Sequence, residues 1–75
     1  MEFIELTGKT LSRVVTPDEL HPDELHSSGV DDDTLVRINR QGDIEIRKRT
    51  GWRVIGGLLG EFDERLRRET GLEWA

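Results

Sequence analysis

Gly51-Trp52-Arg53-Val54-Ile55-Gly56-Gly57-Leu58-Leu59-Gly60 runs into Glu61-Phe62-Asp63-Glu64-Arg65-Leu66-Arg67-Arg68-Glu69-Thr70-Gly71. The fold turns on where the helix in this stretch begins. Ile55, Leu58, Leu59, Phe62 and Leu66 stand at i, i+3, i+4, i+7 and i+11, the period of a helix with one apolar face. Most charged residues from Glu61 to Glu69 lie on the other side. Gly71 suits the left-handed residue that ends a helix, with Leu72 folding back on Leu66 or Arg67. Arg67 and Arg68 sit near the negative end of the helix dipole. The pattern predicts a helix over about 53–70, with Trp52 and Trp74 anchoring its two ends in the core.

Glycine inside a helix costs about 1 kcal/mol relative to alanine, so Gly56, Gly57 and Gly60 need a reason. Gly56 and Gly60 stand one turn apart and would leave a flat strip for close approach of the sheet or of a second helix. Alternatively, the helix starts later, after Gly57 or at Gly60. Neither phosphate-binding motif fits. Gly51 to Gly56 is followed by Gly57-Leu58, where a P-loop needs lysine and a hydroxyl residue. The G-x-G-x-x-G dinucleotide fingerprint, opening a helix after a strand, is also missing.

Upstream, Thr34-Leu35-Val36-Arg37-Ile38-Asn39 and Asp43-Ile44-Glu45-Ile46-Arg47 alternate with period two around the turn Arg40-Gln41-Gly42. This predicts a hairpin over about 34–49. Glu2-Phe3-Ile4-Glu5-Leu6 and Leu11-Ser12-Arg13-Val14-Val15 flank Gly8-Lys9, which predicts a first hairpin over about 2–15. The expected fold class is α+β: one antiparallel sheet of two hairpins, packed by one C-terminal helix, in a single domain spanning 1–75.

Residues 16–33 join the hairpins as a polar, acidic connection. Thr16-Pro17-Asp18-Glu19 carries a capping-box signature, in which Glu19 reaches back to the Thr16 amide. Pro17-Asp18-Glu19-Leu20-His21 is then repeated as Pro22 to His26. Pro22 prevents one continuous helix, so each copy is at most a turn, with Leu20 and Leu25 as footholds on the core or a partner. His21 and His26, with the nearby carboxylates, are weak candidates for a metal. Helical metal histidines usually stand four apart; these stand five apart with a proline between them. No metal site and no cofactor are expected.

The 75 residues include no cysteine, so neither a disulfide nor a thiolate metal site can hold the fold. The N-terminal stretch lacks the basic and apolar regions of a signal peptide. No apolar run reaches the ~18 residues of a membrane span. The expected location is the cytoplasm, with no membrane partner. Net charge is −5, unevenly spread: residues 1–35 hold two basic residues against nine acidic ones (−7), and residues 36–75 hold nine against seven (+2). Overall acidity disfavours non-specific nucleic-acid binding.

No nucleophile stands in a recognisable context; Ser12, Ser27 and Ser28 lie in no nucleophile elbow. So small a domain also leaves little room for a pocket of ~300 Å³. The expectation is no enzyme. It is a small protein–protein interaction or regulatory module, self-associating as a homodimer through Trp52, Gly56, Leu59, Gly60 and Trp74. The alternative is a nucleic-acid-binding module using the basic hairpin residues Arg37, Arg47, Arg49 and Arg53, with Arg40 and Lys48 nearby and Trp52 to stack.

Overall fold

Alternation in the middle of the chain sets the sheet. The computed structural model describes residues 2–74. Its strands are β1 (Phe3–Thr7), β2 (Leu35–Asn39), β3 (Asp43–Lys48) and β4 (Gly51–Gly57). They form one antiparallel sheet in the order β1-β2-β3-β4. Ile4 pairs with Ile38 and Ile38 with Ile44; Leu6 pairs with Val36 and Val36 with Ile46. These six side chains fill one face and are buried. The helices α1 (Gly8–Val14), α2 (Pro22–Ser27) and α3 (Phe62–Thr70) complete the fold. Leu11 and Val14 of α1 and Leu66 of α3 join the same core, with Leu20, Val30 and Leu58 from connecting segments. The fold class is α+β as expected, with an antiparallel sheet and a C-terminal helix.

Two element boundaries differ from the sequence reading. Residues 8–14 are a helix, so there is no hairpin over 2–15. Leu11 and Val14, three apart, both point into the core. Thr7 caps the helix by accepting from the Thr10 amide, and β1 pairs instead with β2 across the long connection. Gly8 reads locally as a hairpin turn but serves another purpose. A side chain there would run into the Asp31 carbonyl and Val30, so glycine lets the 30–31 backbone lie against the start of α1.

Nor does the helix predicted over 53–70 begin at 53. Residues 51–57 are a strand, and α3 covers only Phe62–Thr70. Ile44 pairs with Gly56 but Glu45 with Val54, so Ile55 is an extra residue in β4. Such a bulge changes side-chain parity. Here it turns Ile55 toward the core while Gly56 stays opposite Ile44. Leu58, Phe62 and Leu66 pack as the period demanded, but Leu58 does so from the loop. Gly71 ends α3 in the left-handed region, its amide donating to the Arg67 carbonyl. Leu72 does not join the core and is 41% exposed.

Gly56 and Gly60 therefore share no helix face. Gly56 lies beneath the Glu19–Leu20 segment: a β-carbon there would sit 2.9 Å from the Glu19 carbonyl and 3.2 Å from the Leu20 side chain. Gly57, next to it, has nothing closer than 4.0 Å. Gly56→Ala is expected to lose about 1–3 kcal/mol through overpacking, and Gly57→Ala within about 0.5 kcal/mol. Urea midpoints of the two variants check this; equal shifts would contradict the packing.

The acidic connection at 16–33 is pinned at both of its leucines. Leu20 is buried and Leu25 packs on the core. Half of the capping box forms as expected, with the Thr16 amide donating to Glu19 Oε1 at 2.8 Å. The same carboxylate accepts from the Leu59 amide (2.6 Å) and from Arg65 at 2.9 and 2.5 Å. Its side chain is 2% exposed. Burial alone pushes the carboxyl up. The Arg65 hydrogen bonds, then those from Leu59 and Thr16, more than reverse this and hold it down at about 2 from an ordinary 4.5. One ion pair thus links the 16–20 turn to the β4–α3 loop and to α3.

Candidate interaction surface

All three helices leave one face of the sheet bare. By strand parity it carries the residues that alternate with the core: Phe3 and Glu5 of β1, Leu35, Arg37 and Asn39 of β2, Glu45 and Arg47 of β3, Trp52 and Val54 of β4. Arg37 stands at its centre. The Arg37 guanidinium carbon lies 3.8 Å from the Phe3 ring centroid and 4.0 Å from that of Trp52. An arginine held over two rings gains cation–π attraction from each. Its Nη2 donates to Glu45 Oε1 at 3.1 Å. Asn39 Nδ2 donates to the other Glu45 oxygen (3.2 Å) and to Asp43 (3.1 Å).

This network orders the centre of the face and leaves its margins free. Leu35 is 48% exposed and Val54 54% exposed, both large apolar side chains open to water. Glu5 on β1 and Arg47 on β3 make no ion pair among the described residues. Chemically the surface offers an aromatic and guanidinium platform, two exposed apolar side chains and, in Glu5 and Arg47, one charge of each sign without an ion pair among the described residues. The Arg47 guanidinium carbon lies 5.8 Å from the Trp52 ring centroid.

The residues singled out from sequence scatter across the fold. Of the five interface candidates, only Trp52 lies on the bare face. Gly56 faces Leu20, while Leu59 and Gly60 lie in the β4–α3 loop, Leu59 62% exposed. Trp52 is thus not an anchor for the end of a helix. Trp74 docks as expected but on the first turn of α3: its Nε1 donates to Asp63 and its ring meets Phe62 edge-on at 6.5 Å. Of the nucleic-acid candidates, Arg37 is committed to Phe3, Trp52 and Glu45. Arg47, Arg49 and Arg53 gather around the β3–β4 turn. Arg40 pairs with Glu2.

His21 caps α2, its Nδ1 accepting from the Asp23 amide at 3.1 Å, and His26 lies in the last turn of α2. Among the described residues no group of three or more histidine, aspartate or glutamate side chains converges as a metal ligand set. A shallow cleft of about 190 Å³ between α1 and α2 is lined by Ser12, Val15, Pro17, Leu20, Pro22 and Leu25, chiefly apolar. No helix among the described residues is long and apolar enough to cross a membrane.

Phe3, Leu35, Glu45 and Val54 were not singled out from the sequence. Period-two alternation put the first three opposite the core residues, which was a usable signal. Val54 was hidden because its segment read as helix. Compared with known proteins, the chain matches no family model, no curated protein and no solved structure.

Proposed function

We propose that this protein is a non-catalytic, cytoplasmic interaction module that associates with a second copy of itself through the bare face of its sheet. The observation that carries this is the composition of that face. Trp52 and Arg37 are of the residue types enriched at interface hot spots, and here they are ordered before any partner arrives. Such preorganisation lowers the side-chain entropy lost on binding. Leu35 and Val54 add apolar area that water covers in the monomer.

Charge favours a second copy as the occupant. A two-fold contact needs a self-complementary patch. Glu5 and Arg47 lie one strand to either side of β2. Glu5 is level with Glu45, two residues before Arg47. A two-fold axis crossing β2 obliquely, between Arg37 and Leu35, therefore sets Glu5 of each copy over the Arg47 of the other, twice. The two edges of the sheet are less available: β4 carries a bulge, which discourages strand addition, and Leu72 and Glu73 border β1.

Area sets the strength. Four strands about 4.8 Å apart and about 17 Å long cover on the order of 300 Å² per copy, well below the ~800 Å² of a stable interface. The dimer therefore belongs to the weak, transient class. Sedimentation velocity from about 10 µM to 1 mM tests it. Mass is expected to rise toward twice the monomer, and Leu35→Glu with Val54→Glu to hold the protein monomeric. Arg47→Glu alone weakens association, and adding Glu5→Arg restores it. A constant monomer mass in the wild type across that range would sink the proposal.

A further inference from the structure

The β3–β4 turn collects cations that no carboxylate pairs among the described residues. Arg47, Lys48, Arg49 and Arg53 surround it, and none of them forms an ion pair among the described residues. Every other arginine except Arg13 is paired with a glutamate. In a chain of net charge −5, four unpaired cations at one tip are a local inversion. Lys48 Nζ reaches only the neutral Ser28 carbonyl, at 3.4 Å.

Register distributes these charges over both faces of the ribbon. Arg47 pairs with Trp52 and points to the bare face. Arg53 pairs with Ile46 and takes the helix-bearing side, as does Lys48 two residues after Ile46. Arg49 sits in the turn itself. The last β2–β3 pair is Val36 with Ile46, so beyond Ile46 the two strands pair only with each other and form the end of the ribbon.

From this arrangement we infer that the β3–β4 tip is a phosphate-contacting finger for duplex DNA. A two-stranded ribbon fits the major groove of B-form DNA, about 12 Å wide. Cations on both of its faces then meet the phosphates on both walls. The deep, narrow groove of A-form RNA does not admit such an element. Single strands are bound on free aromatic faces, whereas Trp52 is already stacked on Arg37. Asp31, Asp32 and Asp33 precede β2 at the same end of the sheet, so the duplex approaches from the β4 side. The contacts position the backbone and carry no base specificity.

Fluorescence anisotropy with a labelled 20-base-pair duplex tests this, at nanomolar duplex and at protein concentrations from about 1 to 100 µM. Binding is expected at about 50 mM salt, weakening with a log–log salt slope near −3 to −4 for four phosphates. The combined variant Lys48→Ala, Arg49→Ala, Arg53→Ala should flatten the slope to about −1 with an unchanged melting temperature. Arg67→Ala with Arg68→Ala, on α3, should change nothing. No binding at 50 mM salt, an unchanged slope in the triple variant, or preference for a single strand of equal length would each overturn the inference. Leu35→Glu with Val54→Glu should still bind the duplex, which separates this site from the self-association face.

Discussion

Arg65→Ala will destabilise the protein by about 3–5 kcal/mol at neutral pH, because it strands the buried Glu19 carboxylate without its cation. A domain of this length has in all only about 4–11 kcal/mol of stability, so the variant will be close to unfolding at room temperature. The penalty should shrink as pH falls, since Glu19 can then fold protonated. Replacing both partners, as in Glu19→Ala with Arg65→Ala, should cost less than the sum of the single changes. Urea titration at pH 7 and pH 4 reads both effects. A loss below about 1 kcal/mol in Arg65→Ala would show that the pair adds little.

The same pair makes the wild type acid-sensitive in a defined window. Glu19 is held at about 2 in the folded state against an ordinary 4.5, so the folded protein binds this proton more weakly than the unfolded chain. The stabilisation is complete above about pH 4.5 and disappears as pH falls through about 2. The full shift corresponds to about 3 kcal/mol, of which about 2 kcal/mol is already gone at pH 3. Glu19→Gln should lose this component of the pH dependence while keeping the side chain's shape.

Leu66→Ala is the other large effect. Leu66 is the one fully buried residue of α3, at 0% exposure. Truncating a buried leucine costs about 2–5 kcal/mol, rising with the cavity left behind. Here the upper half of that range is expected. A nine-residue helix is too short to persist without tertiary contacts, so α3 and the docked Trp74 loosen together. Circular dichroism at 222 nm and hydrogen exchange of the α3 amides should report the loss before the sheet amides do. Uniform loss of protection, with α3 no weaker than β3, would contradict a hold concentrated at Leu66.

Much of this architecture was legible locally. Alternation through Val36, Ile38, Ile44 and Ile46 identified the β2–β3 hairpin and its buried side. Phe62, Leu66 and Gly71 marked the second half of the C-terminal helix and its end. The proline in the doubled pentapeptide kept His21 and His26 off one helix face, and Leu20 and Leu25 were recognised as footholds. The errors arose where one pattern served two structures. Ile55, Leu58 and Leu59 satisfied a helical period by coincidence, because a bulge and a loop brought Ile55 and Leu58 to the core without a helix. Gly8-Lys9 matched a hairpin turn, but the burial of Leu11 and Val14 decided for helix.

The candidate surface was legible only as a set of residues without an arrangement. Arg37 and Glu45 were known to alternate with the core, and Trp52 was known to be aromatic and near a basic stretch. That Arg37 lies between Phe3 and Trp52 depends on strand order, which joins residues nearly fifty positions apart. Glu19 shows the same limit: its capping role was visible at three residues' distance, its pairing with Arg65 was not. By itself the sequence determined the fold class, the β2–β3 hairpin, the end of the last helix and the acid–base asymmetry, because these follow from short-range period, backbone geometry and charge. Only the tertiary structure decided that 51–57 is the fourth strand, that 8–14 is helical, and which residues share the bare face. Those outcomes depend on which apolar side chains can be buried together, and that competition is settled between distant segments.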